Sequence, residues 1–333
     1  MCVDYALGEP VPVDEAAPDY VSNPGKVRTW GYQTFYRAPG DVGVTDLAAE
    51  AGHKALAQAG LSAADLDLIV LAITDVPEYL YWDPAAAIQG KIGARHAEAV
   101  LVNQACGGGV AAFDVVAGKM ATHPSYQRAL LITANRVCEQ YWNRMESSTA
   151  VMSDGAAAAV LARDHDRCRW LATEIISDGR YASFFYLPSG GAAQPFTAGM
   201  EPPGQIGDPV DLMNEFLGQN LRELIKFARY TRGNARAVFE RACERAAVPV
   251  SAVQHIMHMN GTAKALHDFA RDYRVPLENT NAEIAAAYGH FGSADQLLSF
   301  GKMLDDGRFA PGDVVALASV SNGMHWACTL LRI

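Results

Sequence analysis

The sequence has no apolar run long enough to cross a membrane; charges or glycine break each one well short of the about 20 residues a spanning helix needs. Residues 1–24 lack the basic-then-apolar pattern of a signal peptide and read as a loose, acidic, proline-containing leader. Basic residues are outnumbered, 27 Lys and Arg against 37 Asp and Glu, for a net charge of −10. No basic run is interleaved with aromatics, and the balance argues against a nucleic-acid binder. Cysteine is sparse: six are scattered over 333 residues without paired or metal-type spacing. Reduced thiols in a cytoplasm are expected, with no structural zinc and no metal ligands.

What is present is a globular composition, half hydrophobic, with length for one large domain or two fused halves. Helical patterns alternate with fully apolar strands. Val44 to Gly60 reads as a helix with Thr45-Asp46 at its start; Leu68 to Ile73 is a buried strand, and Pro84 to Ile92 a helix. Arg128 to Thr133 and Ala156 to Leu161 are further strands. This is an α/β layered pattern. Ser183 to Asp208 is rich in Gly and Pro and reads as a long surface loop, followed by helices at Val210 to Tyr230 and Asn234 to Ala247. Strands are expected at Gln254 to Met259, Val314 to Ser319 and Ala327 to Leu331.

The chain is organised around Leu101 to Phe113. An apolar strand from Ala99 to Val102, expected to be buried on both faces, runs into Ala105-Cys106-Gly107-Gly108-Gly109 and then a helical pattern. Cys106 thus sits on a sharp strand-to-helix turn where glycines allow close backbone approach. Backbone N–H groups at a helix start favour negative charge, which makes the sulfur a candidate nucleophile. The alternative is a buried cysteine packed as a small hydrophobe.

The second half repeats the first. Helix, polar link and apolar strand occur at 44–73 and again at 234–260, and Gly118-Lys119-Met120 recurs as Gly301-Lys302-Met303. Registering the tripeptides sets Cys106 opposite Gly289, beside His290. We read two duplicated halves, residues 1–165 with the nucleophile and 166–333 with the histidines. A pseudo-two-fold axis between them would bring Cys106 and His290 face to face, with His258 pointing into the same space.

At these residues the chain resembles the ketosynthase III (FabH-like) condensing enzymes. The resemblance runs from about Val44 to Ile333. It rests on the Cys106 turn, Ser153-Asp154-Gly155-Ala156, the His258 strand end, Tyr288-Gly289-His290 and Asn322-Gly323-Met324-His325-Trp326. It implies a thiolase-like fold in five α/β/α/β/α layers, a homodimer, and a donor acyl group on CoA or an acyl carrier protein. No bound cofactor is implied; the acyl-phosphopantetheine arm is substrate. The family's catalytic His falls on His258 and its Asn on His290. The resulting Gly-His-x4-Asp pattern, ending in Asp295, is similar to a subgroup from polyketide and antibiotic pathways that act as acyltransferases or starter-unit enzymes.

Histidine can take a proton near neutral pH, which Asn cannot, with an unperturbed pKa of about 6.5. A carboxylate on the far ring nitrogen fixes the tautomer. Cys106, His290 and Asp295 therefore suit acyl transfer to a hydroxyl or thiol, with His258 assisting. Asp295 in a first helical turn is also explained by the helix dipole alone. Backbone N–H groups of Cys106 and of the turn at Gly323 are expected to hold the oxyanion. Gly109, where the family often has an aromatic, Trp82 with its neighbours Tyr79 and Tyr81, Asn260 and His325 are the expected substrate-binding residues. Arg144 and Trp30 match, loosely, residues that hold the CoA or carrier-protein arm. The alternatives are a decarboxylating condensing enzyme that makes a starter unit, and a non-catalytic gatekeeper that binds an acyl carrier protein.

Overall fold

The computed structural model describes residues 1–200 and 204–333. In chain order the strands are β1 Cys2–Leu7, β2 Glu9–Pro12, β3 Thr34–Arg37, β4 Leu68–Ile73, β5 Glu98–Val102, β6 Arg128–Asn135, β7 Gly155–Ala162, β8 Arg169–Ser177, β9 Val253–Met257, β10 Val314–Ser321 and β11 His325–Arg332. They form two main sheets, ordered β1-β7-β6-β4-β5 and β8-β11-β10-β9, and a small pair β2-β3. β4 runs parallel to both β5 and β6, and β9 parallel to β10.

Alternation along the strands makes the layers, because successive side chains point to opposite faces. Leu68, Val70 and Ala72 of β4 face inward, onto Val110 and Phe113 of the helix Gly108–Thr122 and Leu297 and Phe300 of the helix Asp295–Asp305. Ile69, Leu71 and Ile73 face outward, onto the helices Val44–Ala59 and Pro84–Ile92. The second sheet divides the same way. Val315 and Leu317 join the central helices, whereas Val314, Ala316 and Ala318 pack on Val238, Phe239 and Ala242 of the helix Leu221–Arg245. Helix, sheet, helices, sheet, helix is the five-layer thiolase-like arrangement the sequence led us to expect.

Several local expectations are corrected. Residues 1–24 are not a loose leader: β1 pairs antiparallel with β7 from Cys2 opposite Val160 to Leu7 opposite Gly155, burying Val3 and Ala6, and the helix Val13–Tyr20 follows β2. Asp4 and Tyr5 interrupt the apolar pattern that marks a strand, while the nearly all-alanine β7 offers an edge that needs a partner. The apolar run of β5 is not buried on both faces within one chain; β5 is an edge strand and Leu101 is exposed. The first long helix starts from Gly43, whose N–H donates to Asp46 at 2.9 Å; Thr45 is instead buried against Glu78.

The helices after the loop are also redrawn, as Pro209–Phe216 and a 25-residue Leu221–Arg245. They separate at Gly218 and Gln219, both left-handed, and Asn220 caps the second by accepting from the N–H groups of Arg222 and Glu223. The second runs through the start expected at Asn234, since one Gly233 costs a helix only about 1 kcal/mol. Of the loop at 183–208, Pro202 and Pro203 lie outside the described residues.

Candidate active site

β4, β5 and β6 end side by side, and the chain leaving β5 makes a single 3-10 turn, Ala105–Gly107, before the helix Gly108–Thr122. Ala105 has φ of 47°, a left-handed conformation that L-residues rarely adopt, and this sharpens the turn. The turn is pinned to β10: the Ser319 hydroxyl donates to the Cys106 carbonyl at 3.1 Å. A Cβ on Gly107 would stand 2.6 Å from the Ser321 hydroxyl, so only glycine allows that approach. These contacts present the Cys106 side chain to a cavity instead of to the core.

Facing it is His290, with Nε2 3.4 Å from the Cys106 sulfur. The His290 backbone is fixed by its N–H on the Val151 carbonyl (2.8 Å) and its carbonyl on the Ser153 N–H (2.7 Å). Its Nδ1 is hydrogen-bonded to Asp295 Oδ2, which defines the tautomer and leaves Nε2 for the sulfur. Asp295 is fully buried at the first turn of its helix, and its carboxylate also accepts from the N–H groups of Asn260 (2.7 Å) and Phe291 (2.6 Å). Burial disfavours the charged imidazole of His290, but the Asp295 carboxylate and then Cys106 outweigh it and hold its pKa well above the ordinary value. The helix dipole therefore does not exhaust the role of Asp295: its carboxylate is spent on the imidazole.

His258 lies just past β9 and lines the same cavity. Desolvation pushes its pKa down to about 4, with His290 adding to the fall, so it is a neutral imidazole at neutral pH. Its ring packs on Phe269, centroids 4.3 Å apart. The two histidines thus stand in opposite charge states, set by the presence or absence of a carboxylate partner.

The remaining expected residues are placed elsewhere. Gly109 does not line the cavity. A Cβ there would run into the Ser293 carbonyl and touch Thr133, so Gly109 is where the Cys106 helix packs on the His290 turn. Asn260 is wholly buried and holds the triad from behind: besides its N–H on Asp295, its amide donates to the Gly289 carbonyl (2.8 Å) and accepts from Asn281 (2.6 Å). It lies behind Asp295 and does not line the cavity, where a substrate-binding residue was expected. His325 pairs with the Ser177 hydroxyl at 2.8 Å and does not reach the cavity. Trp82 lies outside the Cys106 cavity within one chain, in a separate groove with Tyr79. Gly323 occupies the left-handed turn between β10 and β11; its neighbours Ser321, Asn322 and Met324 line the cavity, but Gly323 does not. Arg144 is a core residue, paired with Asp154 through both guanidinium nitrogens (3.0 and 2.7 Å), and Trp30 is buried with Val13, Phe35 and Met145.

The cavity in front of Cys106 measures about 1170 Å³ and is mostly apolar. Phe184, Phe185, Leu187 and Ile206, all from the loop after β8, form part of its wall with Met213 and Phe227. The exposed Arg232 marks its open side. Asp75 and Asn135, which line it two residues past β4 and at the last residue of β6, were not singled out from the sequence; the signal available was a polar residue at or near the end of an apolar strand. Among the described residues, no group of three or more His, Cys, Asp or Glu is placed to hold a metal ion, and no helix is long and apolar enough to cross a membrane.

Comparison with known proteins identifies the family and the fold. The family model for 3-oxoacyl-[acyl-carrier-protein (ACP)] synthase III matches residues 102–179, and its C-terminal counterpart matches residues 243–333. A beta-ketoacyl-[acyl-carrier-protein] synthase III of Synechococcus sp. (strain WH7803) is 31% identical over 293 residues, covering 88% of this chain and 82% of that one. The synthase III of Clostridium perfringens (strain ATCC 13124) is 26% identical over 295 residues, covering 88% and 86%. Among solved structures, an acyltransferase named ChlB3 superposes with a TM-score of 0.85 at 18% identity, covering 100% of this chain and 96% of that one. The synthase III of Aquifex aeolicus VF5 gives 0.79 at 22%, covering 100% and 99%. The two structures establish the fold; with the sequence relatives and the matched family models, they make this chain a member of the 3-oxoacyl-[acyl-carrier-protein] synthase III family.

Proposed function

We propose that the chain is an acyltransferase that carries an acyl group on Cys106 and passes it to a hydroxyl or thiol acceptor. The observation that supports this most is the continuous contact from the Cys106 sulfur to His290 Nε2 and from His290 Nδ1 to Asp295. In the first half-reaction the sulfur attacks an acyl thioester, carried on CoA or on the phosphopantetheine arm of an acyl carrier protein. The thiolate of the arm leaves with the proton that His290 Nε2 holds, which frees Nε2 as a base for the second half-reaction. The oxyanion formed on the way is held by the Cys106 N–H and by backbone N–H groups of the turn at Ser321, Asn322 and Met324, which lines the cavity. In the second half-reaction His290 Nε2 takes the acceptor's proton as its oxygen or sulfur attacks the acyl-enzyme, and Asp295 stabilises the imidazolium. His258, neutral and facing the same cavity, supports the reacting groups as a hydrogen-bond donor or acceptor.

The Gly-His-x4-Asp pattern supports a setting in polyketide or antibiotic biosynthesis, in the cytoplasm. The halves divide at residues 165 and 166, between β7 and β8. Exposed Tyr79, Leu80 and Tyr81, with Leu101 on the edge strand, leave apolar surface that suits a homodimer; sedimentation should give twice 35.8 kDa. The names of the relatives favour a second reading, a condensing enzyme that decarboxylates a malonyl thioester. The Cys106–His290 contact weighs against a silent gatekeeper. Intact-mass spectrometry after mixing with a panel of acyl thioesters tests the covalent step. One acyl adduct, absent from Cys106→Ala, is expected; no adduct with any thioester defeats it.

A further inference from the structure

The wall of the cavity beside Cys106 carries a carboxylate that the acyl-transfer chemistry does not use. The strand order β6-β4-β5 puts Asp75, two residues past β4, between Asn135 at the end of β6 and Cys106 just past β5. Both line the cavity together with Cys106 and His290. Asn135 is wholly buried; its amide nitrogen donates to the Ser153 carbonyl at 3.0 Å, and its Oδ1 has no surface open to the cavity, so it backs this wall without presenting an acceptor.

Asp75 accepts one backbone N–H on each oxygen, from Val76 at 2.7 Å and from Cys138 at 3.0 Å. A carboxylate has about four acceptor positions, so two remain. Burial pushes its carboxyl up to about 6, against the pull of those two N–H groups. The Arg144 guanidinium acts on Asp75 only from a distance, being committed to Glu139 and Asp154. Asp75 therefore presents unused acceptor positions on this wall of the cavity, and a group that docks against it must bring a donor.

We propose that Asp75 forms a polar subsite beside Cys106 that accepts hydrogen bonds from a hydroxyl or amino group of the substrate. The donor-bearing group belongs to the acyl chain or to the acceptor molecule, and the two half-reactions tell these apart. The proposal rests on Cys106 being the acylated nucleophile.

The test uses the full-length protein and intact-mass kinetics. Acylation of Cys106 is followed with N-acetylcysteamine thioesters of butyrate, 3-hydroxybutyrate and 3-aminobutyrate. Discharge of the acyl-enzyme is then followed with glycerol against 1-propanol. A preference of about tenfold or more for the donor-bearing member is expected in one half-reaction, falling to within about twofold in Asp75→Asn and Asp75→Ser. A preference in acylation assigns the group to the acyl chain, and one in discharge assigns it to the acceptor. Equal rates for every pair in the parent protein overturn the subsite, even where the variants fail to fold. A preference that survives in both variants overturns it too. No adduct with any thioester removes the nucleophile itself, and the subsite with it, which is a different result from unselective acylation.

Discussion

Replacing Asp295 by Asn probes the triad with the smallest change in shape. The carboxylate has three partners: His290 Nδ1 and the Asn260 N–H on Oδ2, and the Phe291 N–H on Oδ1. An amide can serve them in two ways. With its oxygen toward His290 and Asn260, its NH₂ opposes one donor, Phe291. With the amide turned, its NH₂ opposes Asn260 and makes Nδ1 of His290 an acceptor, which places the proton on Nε2 and removes the base. Each orientation opposes one backbone donor, but only the first keeps the Nδ1–H of His290 donating, and there the tautomer survives while the charge is lost. Exchanging a hydrogen bond to a charged group for a neutral one costs about 1–1.5 kcal/mol, which corresponds to a roughly 5- to 13-fold slower transfer step. If the turned orientation won, the loss should approach the roughly 10⁴-fold that the same substitution causes in serine-protease triads. Stability should fall by about 1–3 kcal/mol from the opposed Phe291 donor. Single-turnover discharge of the acyl-enzyme, measured by intact mass, reads the rate. A rate within about threefold of the parent would mean that Asp295 serves only its helix and not the imidazole.

Three further outcomes follow from the same geometry. His290→Ala should discharge the acyl-enzyme at least about 100-fold more slowly, whereas His258→Ala, which removes a neutral group, should slow it by less; single-turnover rates that reverse this order assign the base to His258. Gly109→Ala should cost about 1–3 kcal/mol or more in denaturant titration, because its methyl group must displace the Ser293 carbonyl at the His290 turn. Because folding lowers the His258 pKa from about 6.5 to about 4, the contribution from this group is complete above pH 6.5 and is lost as pH falls toward 4. His258→Gln should flatten that part of the melting-temperature profile, and an unchanged acid limb would place the titration elsewhere.

The sequence made the chemistry legible where a residue type had few other uses. Cys106 before three glycines, and His290 with Asp295 five residues on, are contacts in the structure as read, because the duplication supplied the long-range pairing that no local pattern holds. The layers were legible for a similar reason, since runs such as Leu68 to Ile73 are apolar on both faces and must lie between two layers. Residues whose roles depend on backbone partners were not legible. Asn260 acts through its N–H on Asp295, and nothing in its side chain indicates that. Gly109 reads as a reshaped pocket but is a close crossing of helix and turn. β1 was lost because its two buried residues, Val3 and Ala6, are three apart, which departs from the period of two that marks a strand.

The central claim is that the group on Cys106 leaves to a protonated acceptor, and isolated acyl-enzyme tests it most directly. The acylated protein, freed of donor, is challenged separately with hydroxyl acceptors, with a thiol acceptor and with malonyl-loaded acyl carrier protein. The account predicts return to the unmodified mass with a hydroxyl or thiol acceptor and no carbon dioxide release from the malonyl thioester. Acyl-enzyme that resists every hydroxyl and thiol but discharges onto the malonyl thioester, with carbon dioxide released, would contradict it and make the protein a condensing enzyme.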